Sequence, residues 1–235
     1  MSVGASLRAA TIFDNSTGDL LHRFPPPTLP LDSTTTYEVG DQIILAGTQR
    51  WLTGFDFEYW AANSAPGATT FAGTVQAQVK IYLNDGAMVP PGGPPYGYAS
   101  PSTVLYDSGL FSLDSALTTR RTEVFTLADF RDELPIFIGV GLTPASELTW
   151  SVQFSGLGLG DSVGLDIYSP PTIGDEYTDY WQNNGGWSLL TNTVPMDFGA
   201  RFYAESTIPE PSMVTLSIMG GLGILTVVRR LRRKE

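Results

Sequence analysis

Few residues in this chain are of a type that carries out chemistry. His22 is the only histidine and there is no cysteine. Ser-His-Asp catalysis would rest on His22 alone. Thiol nucleophiles, disulfides and thiolate metal sites are excluded within the chain. His22 sits beside the proline-rich stretch 24–31, where a solvated loop residue is expected. A zinc site needs several His or Cys ligands, which this sequence does not supply. Gly156-Leu157-Gly158-Leu159-Gly160 lacks the Lys and the following helix that would make it a phosphate loop. Asp175, Glu176 and Asp179 cluster beside Tyr177, Tyr180 and Trp181. Paired carboxylates could hydrolyse glycosides, and aromatics beside them suit a sugar cleft. An ordinary acidic loop next to a strand has the same composition. The loop is the expectation, a glycoside hydrolase the alternative, and no catalytic residue is assigned.

Two groups could bind rather than react. Trp181 and Trp187 flank the turn Asn183-Asn184-Gly185-Gly186. Exposed, they could stack on a sugar ring, making the chain a carbohydrate-binding module; buried, they fill a sandwich core, which is the expectation. Asp14, Asn15 and Asp19, with Ser16 between them, offer several oxygens at short spacing, the ligand type calcium takes. The spacing is not that of an EF-hand, and capped turns use the same residues. No cofactor is expected unless calcium binds at this turn.

The elements that position these residues read as strands. Along 51–60, Phe55, Phe57 and Tyr59 alternate with Asp56 and Glu58, the period of a half-buried strand. The stretch 74–83 repeats the pattern, with Val75, Ala77, Val79, Ile81 and Leu83 inward, before the turn Asn84-Asp85-Gly86. Leu148, Trp150, Val152 and Phe154 form a third such face, and Phe198, Ala200 and Phe202 a fourth. Further strands are expected over 41–46, 104–113, 122–127, 136–142 and 164–168, one helical turn over 128–133, and a hairpin over 180–190. The stretch 86–102 holds five prolines and reads as a long surface loop. About ten short strands with turn residues between them predict an antiparallel sandwich of jelly-roll type over residues 11–206. Residues 1–10 read as the tail end of an export signal or a disordered terminus.

The chain has 235 residues and a net charge of −11, and the charge is unevenly placed. Up to residue 211 there are 8 Lys+Arg and 23 Asp+Glu; after it there are 5 and 1. The acidic part offers no phosphate-neutralising stripe, so nucleic acid is not an expected partner. Residues 212–228 carry no charge and as a helix would span about 25 Å, a single transmembrane helix with snorkelling arginines at its end. Arg229, Arg230, Arg232, Arg233 and Lys234 follow as a basic membrane stop expected on the cytoplasmic side.

Pro209-Glu210-Pro211-Ser212 (the linker 207–211 and the first helical residue), the apolar span and the basic end, in this order, resemble the PEP-CTERM sorting signal of Gram-negative bacteria. Ile208 stands where the leading residue is often Val. The resemblance implies export, retention in the inner membrane and processing near the motif by an exosortase-type enzyme. Delivery to the cell surface or an extracellular polysaccharide matrix would follow; the alternative is an uncleaved tail anchor. Residues 11–18 and 174–203 are similar to choice-of-anchor extracellular domains, a looser likeness that transfers no chemistry. The expected protein is thus an exported, non-enzymatic surface or matrix protein.

Overall fold

The computed structural model describes residues 9–24, 37–89, 98–130, 134–138, 143–191 and 195–206. The sorting motif, the apolar span, the basic end and residues 1–8 lie outside these. In chain order the elements are β1 (Ala10–Asn15), β2 (Asp19–Phe24), β3 (Glu38–Ile44), β4 (Trp51–Asn63), β5 (Gln76–Tyr82), β6 (Val104–Asp107), β7 (Phe111–Ser112) and β8 (Thr118–Thr126). There follow α1 (Leu127–Phe130), β9 (Leu134–Pro135), β10 (Phe137–Ile138), β11 (Thr143–Pro144), β12 (Glu147–Ser155) and β13 (Asp161–Tyr168). Last come β14 (Asp175–Glu176), β15 (Asp179–Asn183), β16 (Trp187–Thr191) and β17 (Ala200–Glu205). Among the described residues no helix is long and apolar enough to cross a membrane.

The strands build two antiparallel sheets. One runs β1-β17-β4-β13-β2, with β8 and β9 also on β4; the other runs β16-β15-β3-β12-β5-β6, with β14 on β3 and β7 on β5. β10 and β11 form a separate two-stranded ribbon. Phe55, Phe57 and Phe202 of the first sheet and Trp150 of the second are all fully buried. Trp150 lies 5.4 Å from the Phe55 ring and 5.9 Å from Phe57, so the two sheets share one aromatic core. Burying each ring contributes roughly 1.5–3 kcal/mol, so the inward alternation of β4 and β12 goes far in deciding which faces meet.

The outward positions differ from expectation. Asp56 and Glu58 point away from the core, yet both are buried. Arg201 Nε reaches Asp56 Oδ1 at 2.8 Å, and Arg120 Nε reaches Glu58 Oε2 at 3.2 Å. The Tyr168 hydroxyl also donates to Glu58. Long side chains from neighbouring strands roof this face, so alternation fixes direction there without fixing exposure. The stretch 104–113 divides into β6 and β7 around Gly109, whose φ of 64° a strand does not allow. The hairpin around Asn183-Asn184-Gly185-Gly186 is present as β15 and β16.

β2 runs where a turn and a loop were expected. It pairs with β13 through a bulge: Ile167 faces His22 while Tyr168 faces Asp19. The extra residues are accommodated by Leu21, which has a φ of 57° and is 86% exposed.

Candidate functional site

The residues singled out for chemistry do not converge on one place. His22 is an exposed residue of the edge strand β2 rather than of a loop. It lines a cleft of about 620 Å³ with Asp19, Leu21, Arg23, Thr119, Arg120 and Asp166. The charges in this cleft are mutually engaged. Arg120 pairs with Asp19 and Glu58, and Arg23 lies 3.7 Å from Asp166 and over the Trp60 ring. Asp166 Oδ2 is buried without a hydrogen-bond partner. Burial raises its pKa to about 7, against the pull of Arg23 and Arg120.

Asp14, Asn15 and Asp19 are not brought to one point. Neighbours in a strand face opposite sides, so Asp14 stays at the surface side and Asn15 turns inward with no exposed area. Asp14 Oδ1 accepts from Ser16 N at 3.1 Å and Ser16 Oγ at 2.6 Å, which is the capped turn. Asp19 Oδ1 accepts from Leu21 N at 2.7 Å and its other oxygen holds Arg120. The turn thus takes the capped form, and of the three residues offered for calcium, Asp14 and Asp19 each use carboxylate oxygens in these bonds.

Trp181 is 0% exposed and donates its indole N–H to Gln42 Oε1 at 3.1 Å. Trp187 packs edge-on against it at 6.4 Å and is half-buried. Trp181 presents no face on which a sugar could stack, and that role would fall to Trp187 alone. The reason is the packing of β15 against β3, where Trp181 lies opposite Gly40.

The acidic loop holds the surprise. Asp175 is exposed, but Glu176 is half-buried and Asp179 almost wholly buried. The chain over 172–176 runs along β1, with Asp14 N donating to Ile173 O at 2.9 Å, then crosses to β3, where Glu176 faces Ile43. Gly174 makes the crossing possible: its φ is 82°, and a Cβ there would stand 2.5 Å from Ile44 O.

The crossing carries Glu176 to a polar pocket between the sheets. Asn15 Nδ2 donates to Glu176 Oε2 at 3.1 Å and to Tyr168 O at 3.3 Å. Asp41, at an inward position of β3 between Val39 and Ile43, accepts from Phe198 N at 2.9 Å. Asp197 precedes β17 and is 1% exposed. Burial raises the pKa of Asp41, with Asp197 adding to it. Burial likewise raises Glu176, helped by Asp41 and Asp197, and lifts Asp197 and Asp179 to about 6 each.

Sequence reasoning named Asn15, Glu176 and Asp179 but missed Asp41 and Asp197. Asp41 did leave a signal: a carboxylate in the inward register of an apolar alternation. Among the described residues, no group of three or more Asp, Glu or His side chains is already gathered so that it could hold a metal ion. Compared with protein families, curated proteins and solved structures, the chain finds no match.

Proposed function

We propose that this chain is a non-enzymatic exported protein whose β-domain is held at the inner membrane, and then released, by a C-terminal sorting signal. The observation that carries this reading is the order of the last residues. Pro209-Glu210-Pro211-Ser212 is followed by an uncharged stretch and then by Arg229, Arg230, Arg232, Arg233 and Lys234. In this reading residues 212–228 form a transmembrane helix, the basic cluster stays cytoplasmic and the acidic domain lies outside. An exosortase-type enzyme processes the chain near the motif, and the domain passes to the cell surface or a polysaccharide matrix. The two sheets then form a jelly-roll-like sandwich, a reading supported by their shared aromatic core. The last strand among the described residues, β17, ends at Glu205, so in this reading only a short tether would separate the domain from the membrane.

Mass spectrometry of the terminal peptides, on protein from its own cell envelope, tests the proposal. The expected mature chain lacks the residues after the motif. A mature chain that still carries Arg229 and Lys234 would instead be a permanent tail-anchored protein, and the sorting reading would fail.

A further inference from the structure

We propose that Asn15, Asp41, Glu176 and Asp197 form a calcium site buried between the two sheets. The proposal starts from unpartnered oxygens. Asn15 Oδ1, Asp41 Oδ1, Glu176 Oε1 and Asp197 Oδ1 are all shielded from solvent and none has a hydrogen-bond partner. The large majority of buried side-chain polar atoms in native proteins are satisfied, and a buried carboxylate oxygen without a partner is costly; four of the nine unpartnered buried side-chain atoms among the described residues fall in this cluster. Four such atoms in one region demand a common explanation.

Asn15, Glu176 and Asp197 are linked through their other atoms, and Asp41 is held by the backbone beside Asp197. Asn15 Nδ2 holds Glu176 Oε2 at 3.1 Å, which places the amide within the cluster. Phe198 N holds Asp41 Oδ2 at 2.9 Å, one residue after Asp197. Asp197 is hydrogen-bonded to Glu176 and Ser169, so each of the four groups has one engaged atom and one oxygen without a partner. The charged groups acting most strongly on Asp41, Glu176 and Asp197 are carboxyls: one another, Asp175 and Asp179. No arginine or lysine stands among those groups, whereas buried Asp56, Glu58 and Asp166 each have an arginine within reach, Glu38 has Lys80, and Asp161 is held by backbone N–H groups and Asn63. A missing counter-charge is what a bound cation supplies.

The donor set selects the cation. Three carboxylates and one amide carbonyl are hard oxygen ligands without nitrogen or sulfur, which suits calcium or magnesium rather than a transition metal. Calcium accepts irregular coordination and carboxylates of either denticity, while magnesium demands a near-octahedral cage and keeps its waters. A shielded pocket fed by four separate stretches of chain fits the first better. Glu176 and Asp197 are hydrogen-bonded to each other through a shared proton; calcium would displace that proton, and side-chain rotation of the two, with water completing the shell, would close the site. Binding would cross-link β1, β3, β14 and the lead into β17, tying one sheet to the other.

The test uses the full chain, stripped with a chelator and titrated with calcium chloride alone. At free calcium of about 1 mM, the range in which extracellular modules bind, one ion per chain and a raised melting temperature are expected. Asp197→Asn should weaken binding at least tenfold, and Asp14→Asn, in the surface turn, should leave it unchanged. Asn15→Asp keeps the proposal testable if Asp197→Asn fails to fold. It should lower the melting temperature in chelator and enlarge the rise on adding calcium. A stripped chain whose melting is indifferent to calcium overturns the proposal and leaves a network of protonated carboxyls. Calcium binding lost in Asp14→Asn but kept in Asp197→Asn overturns it equally, by moving the ion to the turn.

Discussion

Asp161 and Asp166 stand on the same strand, β13, and their carboxyls are drawn in opposite directions. Burial raises Asp166 to about 7 although Arg23 and Arg120 oppose it. Burial would raise Asp161 too, but the backbone N–H of Ala72, the Asn63 side chain and the N–H groups of Gly73 and Gly158 outweigh it and hold the pKa below its ordinary value. The distances are 2.9 Å to Ala72 N, 2.8 Å to Gly73 N, 2.8 Å to Gly158 N and 2.6 Å to Asn63 Nδ2. One carboxylate staples two loops together, and the other borders the cleft beneath His22.

Removing the staple should be expensive. Asp161→Ala leaves three backbone donors without their charged acceptor. Hydrogen bonds to a charged group are worth about 1.5–3 kcal/mol each, not fully additive, so a net loss of about 3 kcal/mol is expected in urea unfolding. The contribution has a definite pH sign. A depressed folded pKa stabilises above the unfolded value and is lost as pH falls through the folded one. Asp161→Ala should therefore be least costly in strong acid. An equal cost at every pH would show that the carboxylate's charge is not what holds the loops.

For Asp166 the sign reverses. Its folded pKa of about 7 exceeds the ordinary carboxylate value. Its contribution is therefore fully present below the unfolded pKa of about 4 and is lost as pH rises through 7. The groups facing it are Arg23, Arg120, Glu58 and Asp19. Melting temperatures measured from pH 4 to pH 8 should fall less steeply for Asp166→Asn than for the unsubstituted chain. Parallel slopes would mean that Asp166 is ionised throughout, held by Arg23.

The two tryptophans of the hairpin should separate cleanly. Trp181→Ala removes a fully buried indole and its bond to Gln42, and should cost about 3–5 kcal/mol. Trp187→Ala, half-buried, should cost less. Retention on a polysaccharide column gives a second readout. If Trp187→Ala abolished retention while leaving the melting temperature nearly unchanged, the carbohydrate-binding alternative would displace the non-enzymatic matrix reading.

What the sequence disclosed follows from how local each signal is. The faces of β4, β5 and β12 were legible because bulky residues recur with period two over a continuous run. The β15–β16 hairpin was legible because its turn residues sit together. β2 was not, because Leu20 and Leu21 break the alternation at the bulge and Leu21 adopts a left-handed backbone no pattern announces. The inter-sheet acidic cluster draws on positions 15, 41, 176 and 197, and only pairing brings them together. Within the acidic loop, spacing could not tell exposed Asp175 from buried Asp179, since the turn at Gly174 decides which of them the sheets enclose.

The C-terminal reading makes the sharpest prediction about location. A cationic cluster resists transfer through a membrane, and positive residues flanking an apolar span remain cytoplasmic. Replacing Arg229, Arg230, Arg232, Arg233 and Lys234 by glutamine keeps length and hydrogen-bonding capacity but removes the charge. In the native host this variant should lose inner-membrane retention and orientation, with the β-domain appearing early in the outer fractions. Replacing Pro209, Glu210 and Pro211 by alanine should do the reverse: retention persists, and the chain accumulates in the inner membrane with its tail attached. The two variants act on different steps, anchoring and processing. Fractionation combined with terminal-peptide mass therefore distinguishes them, and a glutamine variant that fractionates and orients like the unsubstituted chain would remove the proposed membrane-stop role from the basic cluster.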